Sequence, residues 1–167
     1  MFKTKTVLSI FIRMNKETVK MEKSSNIELI TAIGNDCEYI CQLLCQLEQT
    51  SYNYELFQEH YLVNLSNQDI EYLIITYNHE KCGFISIHSQ LLLHHNSKIA
   101  EIQEFIIEDK YRNKGIGKAV ILLVKEKCLK NNVSQLEVCT NLKRTETQRL
   151  YRSNSLIESH YKYTMKF

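Results

Sequence analysis

The sequence predicts one α+β domain with a mostly antiparallel sheet, and three observations support this fold class. Three strand-like runs follow one another between residues 72 and 108, separated by short polar turns, as in an antiparallel meander. Apolar residues recur at helical spacing both before and after this meander. No run approaches the roughly 20 consecutive apolar residues that a membrane-spanning helix needs.

Composition narrows the class of protein further. The chain has 167 residues, of which 44% are hydrophobic and 24% charged, which suits one folded domain and excludes a disordered chain. A formal net charge of +2 is too small for a typical nucleic-acid-binding protein. The 6 cysteines show no paired framework, so we expect a reduced, cytoplasmic protein. Cys37, Cys41 and Cys45 recur at helical spacing, but no zinc-like partner set accompanies them and burial explains them better.

The predicted elements follow the order β-α-α-β-β-β-α-β-α-β. Residues 1–25 are expected to form an N-terminal extension and residues 26–167 the domain. Strands are predicted at residues 27–31, 72–77, 82–93, 99–108, 133–139 and 161–167. Helices are predicted at residues 36–49, 54–65, 116–130 and 145–153, with Asn35 and Glu38 as the capping box of the first helix. The last strand rests on the alternation of Tyr161, Tyr163, Met165 and Phe167, which is also a candidate homodimer contact.

The segment Arg112-Asn113-Lys114-Gly115-Ile116-Gly117 contains two of the 4 glycines, between a predicted strand and a predicted helix. Helix N-termini expose unpaired backbone N–H groups with partial positive charge. Glycine allows an anion to approach the backbone closely, and Arg112, Lys114 and Lys118 add formal charge. This combination predicts a pyrophosphate cradle, although the pattern matches neither a Walker loop nor a Rossmann fingerprint. The alternative is a basic turn without a ligand.

These residues resemble a known family. Arg112-x-x-Gly115-x-Gly117, after the strand that begins at Glu101, is similar to the acyl-CoA loop of the GNAT superfamily of N-acetyltransferases. Thr147-Gln-Arg-Leu-Tyr151 lies where that superfamily has A-x-x-[FL]-Y, and the element order also matches over residues 26–167. Residues 88–95, 100–105 and 140–144, with the ending at residues 158–164, resemble the aminoalkylphosphonate N-acetyltransferases within the superfamily.

The resemblance implies a mixed, mostly antiparallel sheet of six to seven strands with about four flanking helices, in which strands four and five splay apart. It implies that the backbone from Arg112 to Lys118, including Asn113 and Ile116, holds the pyrophosphate of coenzyme A. The strand edge at Phe105, Ile106 and Ile107 would pair with the pantetheine arm. Tyr151 would protonate the leaving thiolate, and Asn141 would lie near the coenzyme or its acetyl group. Ser155-Leu156 replace the usual Gly-aromatic pair, which alters the loop near the acetyl group.

The reaction also needs a proton acceptor. An aliphatic amine, with a pKa of about 10, is mostly ammonium at neutral pH and attacks a thioester only as the free base. Glu101 and Glu104 are the candidate acceptors; alternatively they are solvated charges on a strand. A turn centred on Asn96-Ser97 would place His88 opposite Glu104 or Phe105. His88 and Glu104 would then bind a divalent metal, which the resemblance also suggests, or relay a proton; alternatively His88 is a core histidine.

A phosphonate needs cationic donors, preferably arginine. Lys143 and Arg144, after the fifth predicted strand, are the first candidates for binding substrate together with His88, against the alternative of a solvated basic face. Tyr52, Tyr54 and His60, near the first two helices, are further candidates for the wall of the acceptor site.

Three functions are therefore in competition. The first is an N-acetyltransferase that moves the acetyl group of acetyl-CoA to the primary amine of a small aminoalkylphosphonate. It would act by direct attack in a ternary complex, because no cysteine is placed as an obvious covalent carrier. The second keeps this chemistry with an aminoglycoside, polyamine or peptide amine; a polycation calls for an acidic pocket and a phosphonate for a basic one. The third is a non-catalytic acyl-CoA-binding regulatory module. In each, the partner is a small molecule rather than nucleic acid or a membrane.

Overall fold

Five strands and four helices make up residues 26–167, the part of the chain that the computed structural model describes. The N-terminal extension expected at residues 1–25 lies outside the described residues. The strands are β1 (Ile27–Thr31), β2 (Ile70–Tyr77), β3 (Glu80–Leu92), β4 (Ser97–Ile107) and β5 (Gln135–Val138). The helices are α1 (Cys37–Glu48), α2 (Tyr54–Leu65), α3 (Ile116–Lys130) and α4 (Thr145–Ser153). Each helix in this part of the chain is too short or too polar to cross a bilayer.

The strands form one mixed sheet in the order β1-β2-β3-β4-β5. The first four strands are antiparallel neighbours, and β5 joins β4 in parallel after the crossover through α3. The predicted α+β class, the mixed and mostly antiparallel sheet and the four helices are thus confirmed. The number of strands was overestimated, since the described residues form five rather than six to seven.

The missing strand is the one predicted at residues 161–167, and that prediction is wrong. The tail after α4 has no regular secondary structure. Tyr161 and Tyr163 are each 89% exposed and Met165 is 78% exposed. Alternating apolar residues suit a strand, but a strand forms only where a neighbouring strand supplies hydrogen bonds and buries one face. Among residues 26–167 the tail has no such neighbour.

Helices cover both faces of the sheet, and a hydrophobic core lies on each face. On one face α3 packs with Ile116, Val120, Val124 and Cys128, which recur every four residues and are all buried. On the other face α1 and α2 cover the sheet through Cys37, Ile40, Leu43 and Tyr61, which meet Ile74, Phe84 and Ile106. The four-residue spacing therefore places these four side chains on one buried face of α3, as expected for apolar residues at helical spacing.

The start of α1 differs from the predicted capping box of Asn35 with Glu38. A 3-10 turn (Gly34–Asp36) precedes the helix, and Asp36 rather than Asn35 is its polar anchor. The Asp36 carboxylate accepts the Ile33 N–H at 2.8 Å and pairs with the Lys81 ammonium at 2.6 Å. The extra turn moves the first helical residue beyond the predicted cap, so the expected reciprocal pair does not form.

The hairpin between β3 and β4 also corrects the predicted register. His88 lies opposite Glu101, not opposite Glu104 or Phe105. The turn occupies residues 93–96 and is centred between His94 and His95, two residues earlier than expected. The turn position alone therefore moves the partner of every residue in β3.

Candidate active site

A β-bulge in β4 places two carboxylates on the same face of the sheet. Ile85 pairs with Phe105 but Ile87 pairs with Ile102, so the single residue Ser86 faces two residues of β4. In a regular strand, residues three apart point to opposite faces. With one extra residue between them, Glu101 and Glu104 both point to the face that α1 and α2 cover.

Ser86 fixes the Glu104 side chain. The Ser86 hydroxyl is fully buried and donates to the Glu104 carboxylate, while the Glu104 N–H donates to the same hydroxyl oxygen at 3.0 Å. A carboxylate held in this way has one orientation and keeps a free oxygen for another partner. Ser86 was not among the residues expected from sequence. The feature that could have indicated it is a single hydroxyl side chain within the apolar run from Cys82 to Ile87.

Glu104 lies where two cavities meet. The larger one, which we call the aromatic cavity, has a volume of about 250 Å³ and lies between the sheet and the first two helices. Its walls include Tyr52, Phe57, Tyr61, Tyr72 and Phe84, together with His60, Asn64 and Glu104. Of the three wall residues expected from sequence, Tyr52 and His60 line this cavity and Tyr54 does not.

The smaller cavity is a gap between β4 and β5. Parallel pairing of these strands ends at Ile102 with Val138, although β4 continues to Ile107. The resulting β4–β5 gap has a volume of about 70 Å³ and is lined by Glu104, Phe105, Cys139, Thr140, Arg144 and Tyr151. Pairing stops here because β5 itself ends at Val138, so the splay of strands four and five expected from the resemblance stays a prediction. Glu104 is common to both cavities.

Tyr151 lies in α4 and points into the β4–β5 gap. Its side chain is 8% exposed, and burial raises the pKa of Tyr151 to about 12, against a smaller lowering by Arg144. The hydroxyl therefore stays protonated at neutral pH, the state that a proton donor requires. Its position beside Glu104 gives the gap one proton donor and one proton acceptor.

Cys139 also lines this gap, directly after β5. Burial raises the pKa of the Cys139 thiol; Lys162 opposes this effect and Glu101 adds to it. Because the thiolate is the nucleophilic form of cysteine, a raised pKa makes a covalent acyl carrier at Cys139 unfavourable.

The glycine-containing loop ends in a helix N-terminus with free amides. Gly115 adopts φ of 79° and precedes Ile116, the first residue of α3. The first backbone bond across this junction runs from the Ala119 N–H to the Gly115 carbonyl at 3.2 Å. The N–H groups of Ile116, Gly117 and Lys118 therefore precede the first hydrogen-bonded turn, the arrangement that binds anions at helix N-termini.

The side-chain charges of this loop are mostly engaged elsewhere. Arg112 donates to the Ile107 carbonyl at 3.0 Å and pairs with Asp109 at 2.8 Å. The Lys114 ammonium lies 5.1 Å from the ring centre of Tyr111, a cation–π distance. Lys118 is exposed. The backbone amides at the start of α3 are therefore less engaged within the described residues than the side chains of Arg112 and Lys114.

The free edge of β4 has a definite hydrogen-bonding pattern. The Glu108 N–H binds Cys82 in β3 at 2.9 Å, so by alternation Ile106 also bonds to β3. The backbone groups of Phe105 and Ile107 then face the β4–β5 gap. Of the three edge residues expected to contact pantetheine, Phe105 directs both its backbone groups to the gap and Ile107 directs its N–H there. The Ile107 carbonyl accepts from Arg112 at 3.0 Å, and the backbone groups of Ile106 pair with Phe84.

The predicted coenzyme residue Asn141 and the predicted substrate residue Lys143 lie outside both cavities. Asn141 and Lys143 are exposed, and the Asn141 side chain accepts the Lys143 N–H at 2.9 Å. Arg144 reaches the β4–β5 gap, but its guanidinium donates to the Leu47 carbonyl at 3.0 Å and to the Glu48 carboxylate at 2.9 Å. These bonds hold the end of α1 against α4, and they occupy the charge that we expected to bind a phosphonate.

His88 lies opposite Glu101, on the face of the sheet that α1 and α2 cover, but the set of ligands for a metal is incomplete. The buried Nε2 of His88 has no hydrogen-bond partner in the described part of the chain, and the ring lies 6.4 Å from Tyr72. Within residues 26–167 no three His, Cys, Asp or Glu side chains converge as metal ligands do. His88 and Glu104 alone do not fit a divalent metal site, and we derive no step through one.

Comparison with known proteins identifies the family. The profile described as "Acetyltransferase (GNAT) family" matches residues 37–154, which include the glycine loop, the β4–β5 gap and Tyr151. The chain belongs to this family. It is therefore an acetyl-CoA-dependent N-acetyltransferase.

Similar proteins include one with a described substrate class. The chain is 30% identical over 137 residues to the aminoalkylphosphonate N-acetyltransferase of Salmonella typhimurium strain LT2, covering 82% of this chain and 89% of that protein. Among solved structures, a transcriptional regulator from Bacillus halodurans C-125 has a TM-score of 0.76 at 17% identity, covering 85% of this chain and 100% of that one. A ribosomal-protein-alanine N-acetyltransferase from Brucella melitensis biovar Abortus 2308 has a TM-score of 0.69 at 19% identity, covering 86% and 100%. The two structures support the GNAT fold.

Proposed function

We propose that this GNAT enzyme acetylates the primary amine of a small aminoalkylphosphonate by direct attack in a ternary complex. The observation that supports this substrate class most is the 30% identity to the Salmonella enzyme over most of both chains. The shared position of Glu104 in the aromatic cavity and the β4–β5 gap supports the ternary mechanism, because acceptor and thioester would meet there.

In this proposal the coenzyme occupies the gap and the loop. The pyrophosphate binds the N–H groups of Ile116, Gly117 and Lys118 at the start of α3, where the helix dipole favours negative charge. The pantetheine arm pairs as an added strand with the backbone groups of Phe105 and with the N–H of Ile107, since the Ile107 carbonyl accepts from Arg112. This alignment directs the acetyl thioester toward Glu104 and Tyr151.

The chemical step then needs three proton transfers. Glu104 accepts a proton from the ammonium of the acceptor, directly or through water, with Glu101 as the alternative acceptor. The free amine attacks the carbonyl carbon, the C–N bond forms, and the C–S bond breaks as the tetrahedral intermediate collapses. The Tyr151 hydroxyl gives its proton to the departing thiolate. The nitrogen loses its second proton, which passes directly or through water to the Tyr151 phenolate and restores the hydroxyl. The products are an N-acetyl amine and coenzyme A, and the proton on the carboxylate is released to solvent.

A second acceptor class is favoured by the chemistry of the aromatic cavity. Its walls contain one carboxylate and five aromatic side chains, but no lysine or arginine among the described residues. Aromatic faces and a carboxylate also bind organic cations. A small amine without an anionic group is therefore the competing substrate.

The test is a thiol-release assay with acetyl-CoA and a panel of amines. Aminomethyl- and 2-aminoethylphosphonate are compared with a polyamine, an aminoglycoside and a peptide amine. We expect the highest kcat/KM for a phosphonate. Turnover of another amine class with none of the phosphonates would overturn the proposed substrate. Each assay is repeated with EDTA and with divalent cations, and a rate abolished by EDTA would restore the metal hypothesis.

A further inference from the structure

We propose that His60 is the residue that selects acceptors with an anionic end, by pairing with the phosphonate at the mouth of the aromatic cavity. This inference rests on the proposed function and adds a specificity-determining residue to it. Four residues of α2 line the cavity, namely Phe57, His60, Tyr61 and Asn64. Their spacing of three, four and seven residues puts them on one stripe of the helix, which faces the sheet.

The position of the amine fixes which end of the acceptor meets this stripe. Glu104 is on the sheet side of the cavity and also lines the β4–β5 gap. An acceptor whose nitrogen lies at Glu104 extends away from the thioester, across the cavity, toward α2. The group at its far end therefore contacts the α2 stripe rather than the coenzyme.

Among the lining residues of α2, His60 alone can become a cation. Tyr61 is buried and its hydroxyl donates to the Ile33 carbonyl at 2.8 Å, while the Asn64 amide donates to the Tyr72 hydroxyl at 2.8 Å. His60 is exposed at the edge of the stripe and makes no hydrogen bond within the described residues. Its ring is thus available to a ligand, and charged donors bind phosphonate oxygens more strongly than neutral ones.

Other cations near the site are less suited to this role. The Arg144 guanidinium lines the β4–β5 gap, where the acyl-pantetheine is proposed to bind, and is paired with Glu48. Lys143 lines neither cavity. Of the basic side chains considered for binding a phosphonate, only His60 lines the aromatic cavity.

The experiment compares two acceptors that differ in this end group. The kcat/KM for 2-aminoethylphosphonate is divided by that for propylamine, in which a methyl group replaces the phosphonate. We expect His60→Gln, which keeps a donor but loses the charge, to lower this ratio about tenfold. His60→Lys, which restores a cation, should recover most of the ratio. The control His94→Gln, at the exposed β3–β4 turn, should leave it unchanged.

Three outcomes would overturn the inference. The first is an unchanged kcat/KM for both acceptors in His60→Gln. The second is an equal loss of kcat/KM on both acceptors, which leaves the ratio unchanged and would show a structural role. The third is a fall in the ratio for Arg144→Gln without one for His60→Gln. If the unsubstituted enzyme acetylates propylamine but not the phosphonate, the proposed function itself fails. If it acetylates the phosphonate and the ratio is insensitive to His60, the proposed function stands without this inference.

Discussion

Glu104 is the residue on which both cavities converge. Its carboxylate is oriented by the buried Ser86 hydroxyl, and the bulge in β4 points it to the acceptor side of the sheet. Glu101 is on the same face but lies beside His88 and Cys139 instead. The two carboxylates therefore have different neighbours, and substitution can separate their roles.

We expect Glu104→Gln to lower kcat about 100-fold, because general base catalysis typically contributes at least that factor. Glu101→Gln should lower it less than about tenfold. Steady-state thiol release measures both, with Glu137→Gln as the control, since Glu137 lies on β5 outside both cavities. A larger loss in Glu101→Gln than in Glu104→Gln would exchange the two roles.

Tyr151 is expected to act on the rate and not on coenzyme binding. Tyr151→Phe should lower kcat by roughly 100-fold, while the Kd for coenzyme A, measured by calorimetry, changes less than about threefold. The matched control is Tyr163→Phe in the exposed tail. Turnover that survives in Tyr151→Phe would remove this hydroxyl as the proton donor.

The pKa of Tyr151 also predicts a pH profile. Since burial raises this pKa to about 12, the neutral, proton-donating form persists well above its usual titration range. The kcat of the unsubstituted enzyme should therefore show no alkaline fall attributable to Tyr151 below about pH 10. The same shift stabilises the fold below the unfolded pKa of about 10, and that contribution disappears as pH rises toward 12.

At the scale of elements, the contact between β3 and β4 leaves no room for a side chain at Gly83. A Cβ there would lie 2.3 Å from the Ile106 carbonyl oxygen and 3.1 Å from the Ile107 Cα, and both are backbone atoms. The strands would have to separate next to the edge that is proposed to bind pantetheine. This glycine is thus required by close approach and not by its backbone angle.

Gly83→Ala should lower the free energy of unfolding by about 2 kcal/mol or more, because overpacking against backbone cannot relax by side-chain rotation. Gly34→Ala is the control, since its Cβ would meet only the Leu62 Cδ2 at 3.9 Å; we expect a change below about 0.5 kcal/mol. Urea denaturation measures both variants. Equal stability of the two would contradict the strand spacing described here.

At the scale of the whole molecule, the C-terminal tail adds little to the packed fold. The side chains of residues 161–167 project from the end of the chain without a strand partner. Removal of residues 159–167 should change the free energy of unfolding by less than about 0.5 kcal/mol, since few buried contacts are lost. A loss of 2 kcal/mol or more, or a change from dimer to monomer in sedimentation, would show that the tail pairs as a strand, within the chain or between copies.

The sequence by itself determined the elements and the fold class. Helical spacing in α3 and the apolar runs of β2, β3 and β4 depend on which residues are apolar, and that pattern is visible without coordinates. The glycine loop was noted from its short motif and Tyr151 from the resemblance to the GNAT superfamily, and their roles stay predictions. The strand count was wrong because strand pairing is a property of two segments, and alternation in one segment does not supply the other.

Only the tertiary structure decided how the site is assembled. The turn at residues 93–96 and the bulge between Glu101 and Glu104 set the register, and a shift of one residue moves a side chain to the other face of the sheet. The hydrogen-bond partners of Ser86 and Arg144 are distant in sequence, and His60 lines a cavity formed with residues far along the chain, so their roles depend on packing between elements. A linear pattern specifies which groups are present, whereas distances between remote segments follow from the complete fold.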